Sequence, residues 1–175
     1  KLGGLCLLTD NKIEIFTPSN SALPDNLVKS TAIRNGKIYI ATGGTVTLQK
    51  VVVIEEEEWK TLPVTGYYLM DMDVDREGKV YVIDDTGLSS SMITNKIYVF
   101  DQDGCRDILQ QKSRFDQNPY LLKTDLRNYL WVASFTSPGK KPLTVFDGTS
   151  WHSAPEDFPD LYIKCISVDR NNNIW

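Results

Sequence analysis

Apolar and polar residues alternate along this chain in short runs, each closed by Gly, Asn, Asp or Pro, and no segment keeps helical spacing for long. β-Branched and aromatic residues crowd those runs, so the pattern predicts an all-β protein made of many short strands. The runs also repeat. Apolar-rich strands at 27–33, 68–74, 120–125 and 162–168 each precede a polar turn and a second strand carrying an aromatic residue, in "AIRNGKIYIATGG", "DVDREGKVYV", "KTDLRNYLWVASF" and "SVDRNNNIW". The four aromatics, Tyr39, Tyr81, Trp131 and Trp175, lie 42, 50 and 44 residues apart. Behind the first three, "VVVIEEEEWKTL", "KIYVFDQDGCRDIL" and "LTVFDGTSWHSA" read as a further strand pair. Asp103-Gly104 and Asp147-Gly148 suit hairpin turns there, because glycine takes positive φ without penalty. Each repeat thus supplies strand A before the turn, B with the aromatic, then C and D. Four strands in every 40 to 50 residues or so are the signature of a propeller blade, whose neighbours pack face to face around a channel.

The fold expected is therefore a β-propeller of about four repeats of four antiparallel strands, with blades at 26–62, 67–111 and 119–155. Residues 1–17 read as C and D of a half blade and residues 161–175 as A and B of another. If B paired with C across the two ends, a four-bladed ring would close. An arc cut from a larger propeller is favoured, since raw half blades expose unpaired strand edges. Two arcs could also associate through such edges or dimerise.

Composition narrows the function classes. The 175 residues carry a formal charge of −4 with no run of Lys or Arg, which leaves no footprint for nucleic acid or an anionic membrane. The longest apolar runs, such as Val51-Val52-Val53-Ile54, fall far short of the roughly 20 residues of a membrane span. Cys6, Cys105 and Cys165 form no CxxC pair and are expected as buried free thiols, with neither metal nor cofactor implied.

Two stretches carry a family resemblance. "IFTPSNSALPDNLVKSTAIRNGKIYIATGG" and "LTVFDGTSWHSAPEDFPDLYIKCISVDRNNNIW" resemble the two-component regulator propeller repeat, with its aromatic-ended strand, Pro-containing loop, apolar strand, Gly or Asn turn and Trp-Ile-Gly-Thr-like strand. Tyr replaces Trp at 39 and 81, and no Asp precedes the first turn. The resemblance implies the periplasmic or cell-surface sensing region of a Bacteroidetes hybrid two-component sensor kinase, one that recognises glycan breakdown products and signals across the membrane. Such a region is a non-catalytic module for signal transduction. Related propellers also serve as scaffolds of secretion machinery and as lyases or hydrolases, and these remain alternatives.

The candidate chemistry is sparse. His152, the single histidine, follows Trp151 near a C–D turn and is expected on an outer strand, far from the channel and without a catalytic partner. Asp71, Asp73 and Asp75 alternate in "DMDVD"; solvation at a strand end is the expectation, ahead of a calcium site, which needs six or more oxygens. The run Glu55 to Glu58 reads as a solvated C–D turn. Tyr39, Tyr81, Trp131 and Trp175, with Trp59 and Trp151, are expected to pack between adjacent sheets. Tyr67, Tyr68, Tyr120 and Tyr162 stand where the chain enters strand A, at one mouth of the channel. Their faces could stack on an oligosaccharide or other small ligand, with Lys123, Lys164 or Asp160 supplying polar contacts.

Overall fold

A computed structural model describes residues 3–9, 11–43, 49–66, 68–85, 95–109, 118–135 and 141–175, apart from the side chains of 64–66. Every regular element among them is a β-strand. The first hairpin pairs β1 (Leu5–Thr9) with β2 (Lys12–Phe16). Three four-stranded antiparallel meanders follow. The first holds β3 (Val28–Arg34), β4 (Lys37–Thr42), β5 (Gln49–Glu55) and β6 (Glu58–Gly66). The second holds β7 (Leu69–Val74), β8 (Val80–Asp85), β9 (Asn95–Asp101) and β10 (Gly104–Asp107). The third holds β11 (Asn118–Thr124), β12 (Leu130–Phe135), β13 (Leu143–Phe146) and β14 (Trp151–Ser153). These sheets are the blades of a propeller-like arc, and β3, β7 and β11 run side by side as their innermost strands.

The period of two in the sequence becomes two-sided burial. On β8, Val80 and Val82 pack toward the first blade, in a core with Tyr39, Val51, Val53 and Phe100. The alternate residues Tyr81 and Ile83 face the third blade, in a core with Ile97, Leu122, Leu130 and Val132. Burying a side chain such as Ile83 or Leu130, each 0% exposed, stabilises the fold by about 1.5–3 kcal/mol before entropy is counted. Trp59 meets Phe16 edge to face at 5.5 Å, joining the first hairpin to the first blade, and the Trp151 indole donates to the Ile108 carbonyl of the second blade at 3.4 Å. Glu55 pairs with Glu58, and Glu56 and Glu57 between them take φ of 49° and 68°, the geometry of a type I′ turn.

Three expectations need correction. The cysteines are exposed, not buried: Cys6 shares the uncovered face of the first hairpin with Leu8, Ile13 and Ile15, Cys105 sits on the outermost strand of its blade, and Cys165 precedes the last turn. Alternation and edge position, rather than the general habit of thiols, set that outcome. The strand expected at 162–168 shrinks to a bridge between Val168 and Ile174, with Ser167 and Trp175 exchanging backbone bonds. A strand is defined by its partner, and residues 161–166 find none among the described residues. The third correction, to Asp71, Asp73 and Asp75, belongs to the channel wall.

Candidate functional site

The A–B turns meet at one end of the innermost strands. In the second blade Asp75 Oδ1 accepts the amides of Glu77 and Lys79, both at 2.9 Å, while Tyr81 donates its hydroxyl to Oδ2 at 3.4 Å. Asp125 accepts the amides of Arg127 and Tyr129 and the Trp131 indole N–H at 3.2 Å. Asp169 does the same for Asn171, Asn173 and the Trp175 indole. The spacing is physical: the carboxylate sits at the strand end, caps two turn amides, and reaches the aromatic that returns beside it on strand B. The repeat aromatics therefore do more than pack, since each of these three is hydrogen-bonded to the Asp six residues before it. Trp175 itself is 73% exposed, which corrects the expectation that it packs between adjacent sheets.

The first blade departs from this plan. Its turn, Asn35-Gly36, is a two-residue type I′ hairpin with φ of 52° and 75°. By register Arg34 then occupies the place of Asp75, and its guanidinium Nε donates to the Val74 carbonyl of the second blade at 2.9 Å instead. Asn side chains bind the turns into a chain across blades. Asn35 donates to the Arg76 carbonyl, Asn128 accepts the Arg76 amide at 3.0 Å, and Asn172 accepts the Leu126 amide at 2.6 Å.

Along the wall, Asp71 and Asp73 are enclosed rather than solvated. Asp71 accepts the Ser30 hydroxyl from one side and the Leu122 amide from the other, at 2.8 and 2.9 Å. Asp73, 2% exposed, accepts the amide and hydroxyl of Thr124, both at 2.8 Å, and pairs with Lys123 at 3.2 Å. The free N–H edge of β11 is thus capped by carboxylates of β7, which is why the alternation that suggested a solvated face instead bridges three blades. Burial pushes the Asp71 carboxyl above its ordinary range despite those bonds. Asp75 is raised by burial as well.

At the opposite end, where the chain enters strand A, the surface is aromatic. Tyr162 stacks on Tyr120 with centroids 5.3 Å apart and planes 12° apart, and Phe135 lies 4.3 Å from Tyr120. Tyr162 is 61% and Phe135 47% exposed, whereas Tyr120 beneath them is 7% exposed and donates its hydroxyl to the Ile163 carbonyl at 2.6 Å. Burial raises the Tyr120 phenol, which keeps it neutral and a donor. Each innermost strand carries a bulge here, and the extra residues are Lys29, Met70 and Tyr120. The bulge therefore aims Tyr120 under Phe135, a partner that sequence spacing did not suggest. Behind the rings, Asn118 Oδ1, Ser134 Oγ and Asn95 Oδ1 have no hydrogen-bond partner among the described residues. They adjoin one another: Asn118 lies opposite Phe135, Ser134 opposite Pro119, and the Asn95 amide donates to the Pro119 carbonyl at 2.7 Å.

Of the other expected contacts, Tyr68 stands apart, with Lys29 Nζ 4.4 Å over its ring. Tyr67 lies outside the described residues. Lys164 and Asp160 are exposed, whereas Lys123 is engaged with Asp73 on the wall. His152 is exposed on β14 and bonds Asp147 at 2.7 Å, which, with the turn amides, holds that carboxyl far below the usual range. A tyrosine beside a carboxylate occurs at Tyr81 and Asp75, and that pair is buried.

No family model matches the sequence, and neither does any curated protein. Among solved structures, the chain is similar to the extracellular domain of the hybrid two component system BT3049 from B. thetaiotaomicron. The match covers 98% of this chain and 24% of that domain, with a TM-score of 0.65 at 12% identity. The chain has the fold of that extracellular domain. It spans about a quarter of that extracellular domain's length. The extracellular domain of a second such system, BT4673 from the same organism, aligns over 85% of this chain and 26% of its own length. The identity there is 10% and the TM-score 0.39, too low to bear on the fold.

Proposed function

We propose that the chain is a ligand-sensing segment of the extracytoplasmic region of a two-component sensor, located in the periplasm or at the cell surface and working without catalysis. The ligand proposed is a glycan-derived oligosaccharide bound at the aromatic mouth. One observation carries this reading: Tyr162 and Phe135 present ring faces to solvent over a buried third ring, while unpartnered amide and hydroxyl oxygens lie in the wall behind. Sugar rings offer apolar C–H faces to aromatic planes such as these. Likeness of fold to a two-component ectodomain supports the sensing role. Against a lyase or hydrolase stands the placement of His152 on an outer strand and of the Tyr81–Asp75 pair in the core.

The test is calorimetric titration of the protein with neutral, uronic-acid and sulfated oligosaccharides, repeated on Tyr162→Ala and Phe135→Ala. Saturable binding weakened by about tenfold in either variant is expected, since one aromatic stack is worth about 0.5–1.5 kcal/mol beyond its area. Binding that both variants retain in full, or turnover of any oligosaccharide, would overturn it.

A further inference from the structure

We propose that two copies of this chain join head to tail, the first hairpin of each serving as the docking site for residues 167–175 of the other. The hairpin is the strand pair that the complete blades use as C and D. Among the described residues the outer edge of β1 meets no strand, whereas β5, β9 and β13 each pair with the strand before them. Such an edge is a template for pairing. One face of the hairpin, formed by Cys6, Leu8, Ile13 and Ile15, is apolar and open, with Leu8, Ile13 and Ile15 at 68%, 65% and 60% exposure.

The second observation lies at the last turn. Residues 167–175 form an A–B turn with the same aspartate-to-aromatic bond as the second and third blades, yet Trp175 is uncovered. Its counterparts Tyr39 and Tyr81 are 6% and 4% exposed, because strand C stands beside them, at Val53 and Val99, and the next blade covers them. The third blade shows a matching lack of cover. Trp131 and Val145, the counterparts of Tyr39 and Val53, are only half-buried.

The complete blades fix how the halves fit. Val53 and Val99 each lie two residues before the last paired residue of strand C, Glu55 or Asp101, which a two-residue turn follows. Thr9 ends β1 before a turn of the same length, so the matching position is Leu7. Trp175 of one copy therefore pairs with Leu7 of the other, and Ile174 with Leu8. Residues directly opposite in an antiparallel pair share a face. Trp175 then packs beside Leu7 toward the first blade of the receiving copy, where Phe16 already meets Trp59. Leu8 and Ile13 turn the other way, toward Trp131 and Val145 of the donor copy. A second copy is the occupant because the chain carries both complementary halves and, among the described residues, does not join them to each other. With three whole blades and two halves per copy, two copies supply eight blades and two identical junctions, a closed ring of a size that propellers use. None of these residues belongs to the aromatic mouth, so the sugar-binding reading stands or falls separately.

The experiment is sedimentation equilibrium of the full chain, followed by disulfide trapping. A mass twice the 19.8 kDa of one chain is expected, falling to that of one chain in the double variant Leu8→Glu with Ile13→Glu, both at exposed positions; circular dichroism confirms that it is folded. For trapping, Cys6, Cys105 and Cys165 are replaced by Ser, and copies carrying Leu7→Cys are mixed with copies carrying Trp175→Cys. A bridge between the two is expected, since Cβ atoms directly opposite lie about 4.5–5.5 Å apart. Thr9→Cys in place of Leu7→Cys should bridge at least about tenfold less, its Cβ lying beyond the roughly 7–8 Å of diagonal neighbours. A monomer at every concentration would overturn the proposal, as would an open ladder of higher mass. So would a dimer that the charged variant leaves intact, or a bridge that closes a single chain carrying both Leu7→Cys and Trp175→Cys.

Discussion

The two ends of the innermost strands are built from the same repeat and behave in opposite ways. At the turn end, carboxylates and Asn amides leave few backbone donors unpaired: Asp75, Asp125 and Asp169 each cap two amides and an aromatic, and Asn35, Asn128 and Asn172 tie one turn to the next. At the entry end the strands bulge and expose rings, and unpartnered oxygens lie just beneath. The lesson is one of division of labour. A fold that satisfies its polar groups at one end holds the blades in register, while the other end leaves aromatic surface exposed above buried, unpartnered oxygens.

The sharpest way to break this contrast is on the wall that joins the ends. Asp73→Ala removes the acceptor for the Thr124 amide and hydroxyl and leaves Lys123 unpaired, so a loss of about 2–4 kcal/mol is expected from urea unfolding. A loss below about 0.5 kcal/mol would mean that the carboxylates of β7 do not tie the blades together. Asp125→Ala ranks next. It strips two turn amides, the Trp131 indole and the Asn172 amide of their acceptor in a residue 2% exposed, at a cost of about 1–3 kcal/mol. Asp169→Ala changes the same motif where solvent replaces the lost bonds, and no shift in unfolding midpoint is expected.

Acidity sharpens the comparison further. Burial raises the Asp71 carboxyl, so the folded chain binds that proton before the unfolded chain does, and this group favours folding more as pH falls toward the unfolded value near 3.9 or so. At Asp125 burial opposes ionisation, but the bonds from Arg127, Tyr129 and Trp131 prevail and the carboxyl is lowered; its contribution is present above about pH 4 and fades below it. The stability of Asp71→Asn relative to the parent should therefore decline as pH drops from about 7 to about 4. Asp125→Asn should gain on the parent only below that window. Parallel curves for the two variants would contradict the opposite signs assigned here.

Much of the fold was legible because strand alternation and the spacing of Tyr39, Tyr81, Trp131 and Trp175 are local features of one repeat. The turn aspartates were visible as residues, yet their bond to the aromatic six positions later shows only once both strands stand side by side. Asp71 and Asp73 misled because their partners, Leu122 and Thr124, lie 51 residues further on in another blade. Alternation alone cannot tell a solvated face from one capped by a neighbouring blade. Tyr120 was recognised as a mouth residue, whereas its union with Phe135 depends on a bulge that no residue type announces. The exposure of the cysteines follows from edge and face assignment, which composition does not carry.

The most direct test of the central claim is to titrate ¹⁵N-labelled protein with the oligosaccharide that binds best in calorimetry and follow the amide shifts. Shifts concentrated at Tyr120, Phe135, Tyr162 and Ile163, with Asn35, Asn128 and Asn172 unmoved, are predicted. Shifts confined to the turn end, or spread evenly over both ends, would contradict the assignment of the aromatic mouth as the sensing surface.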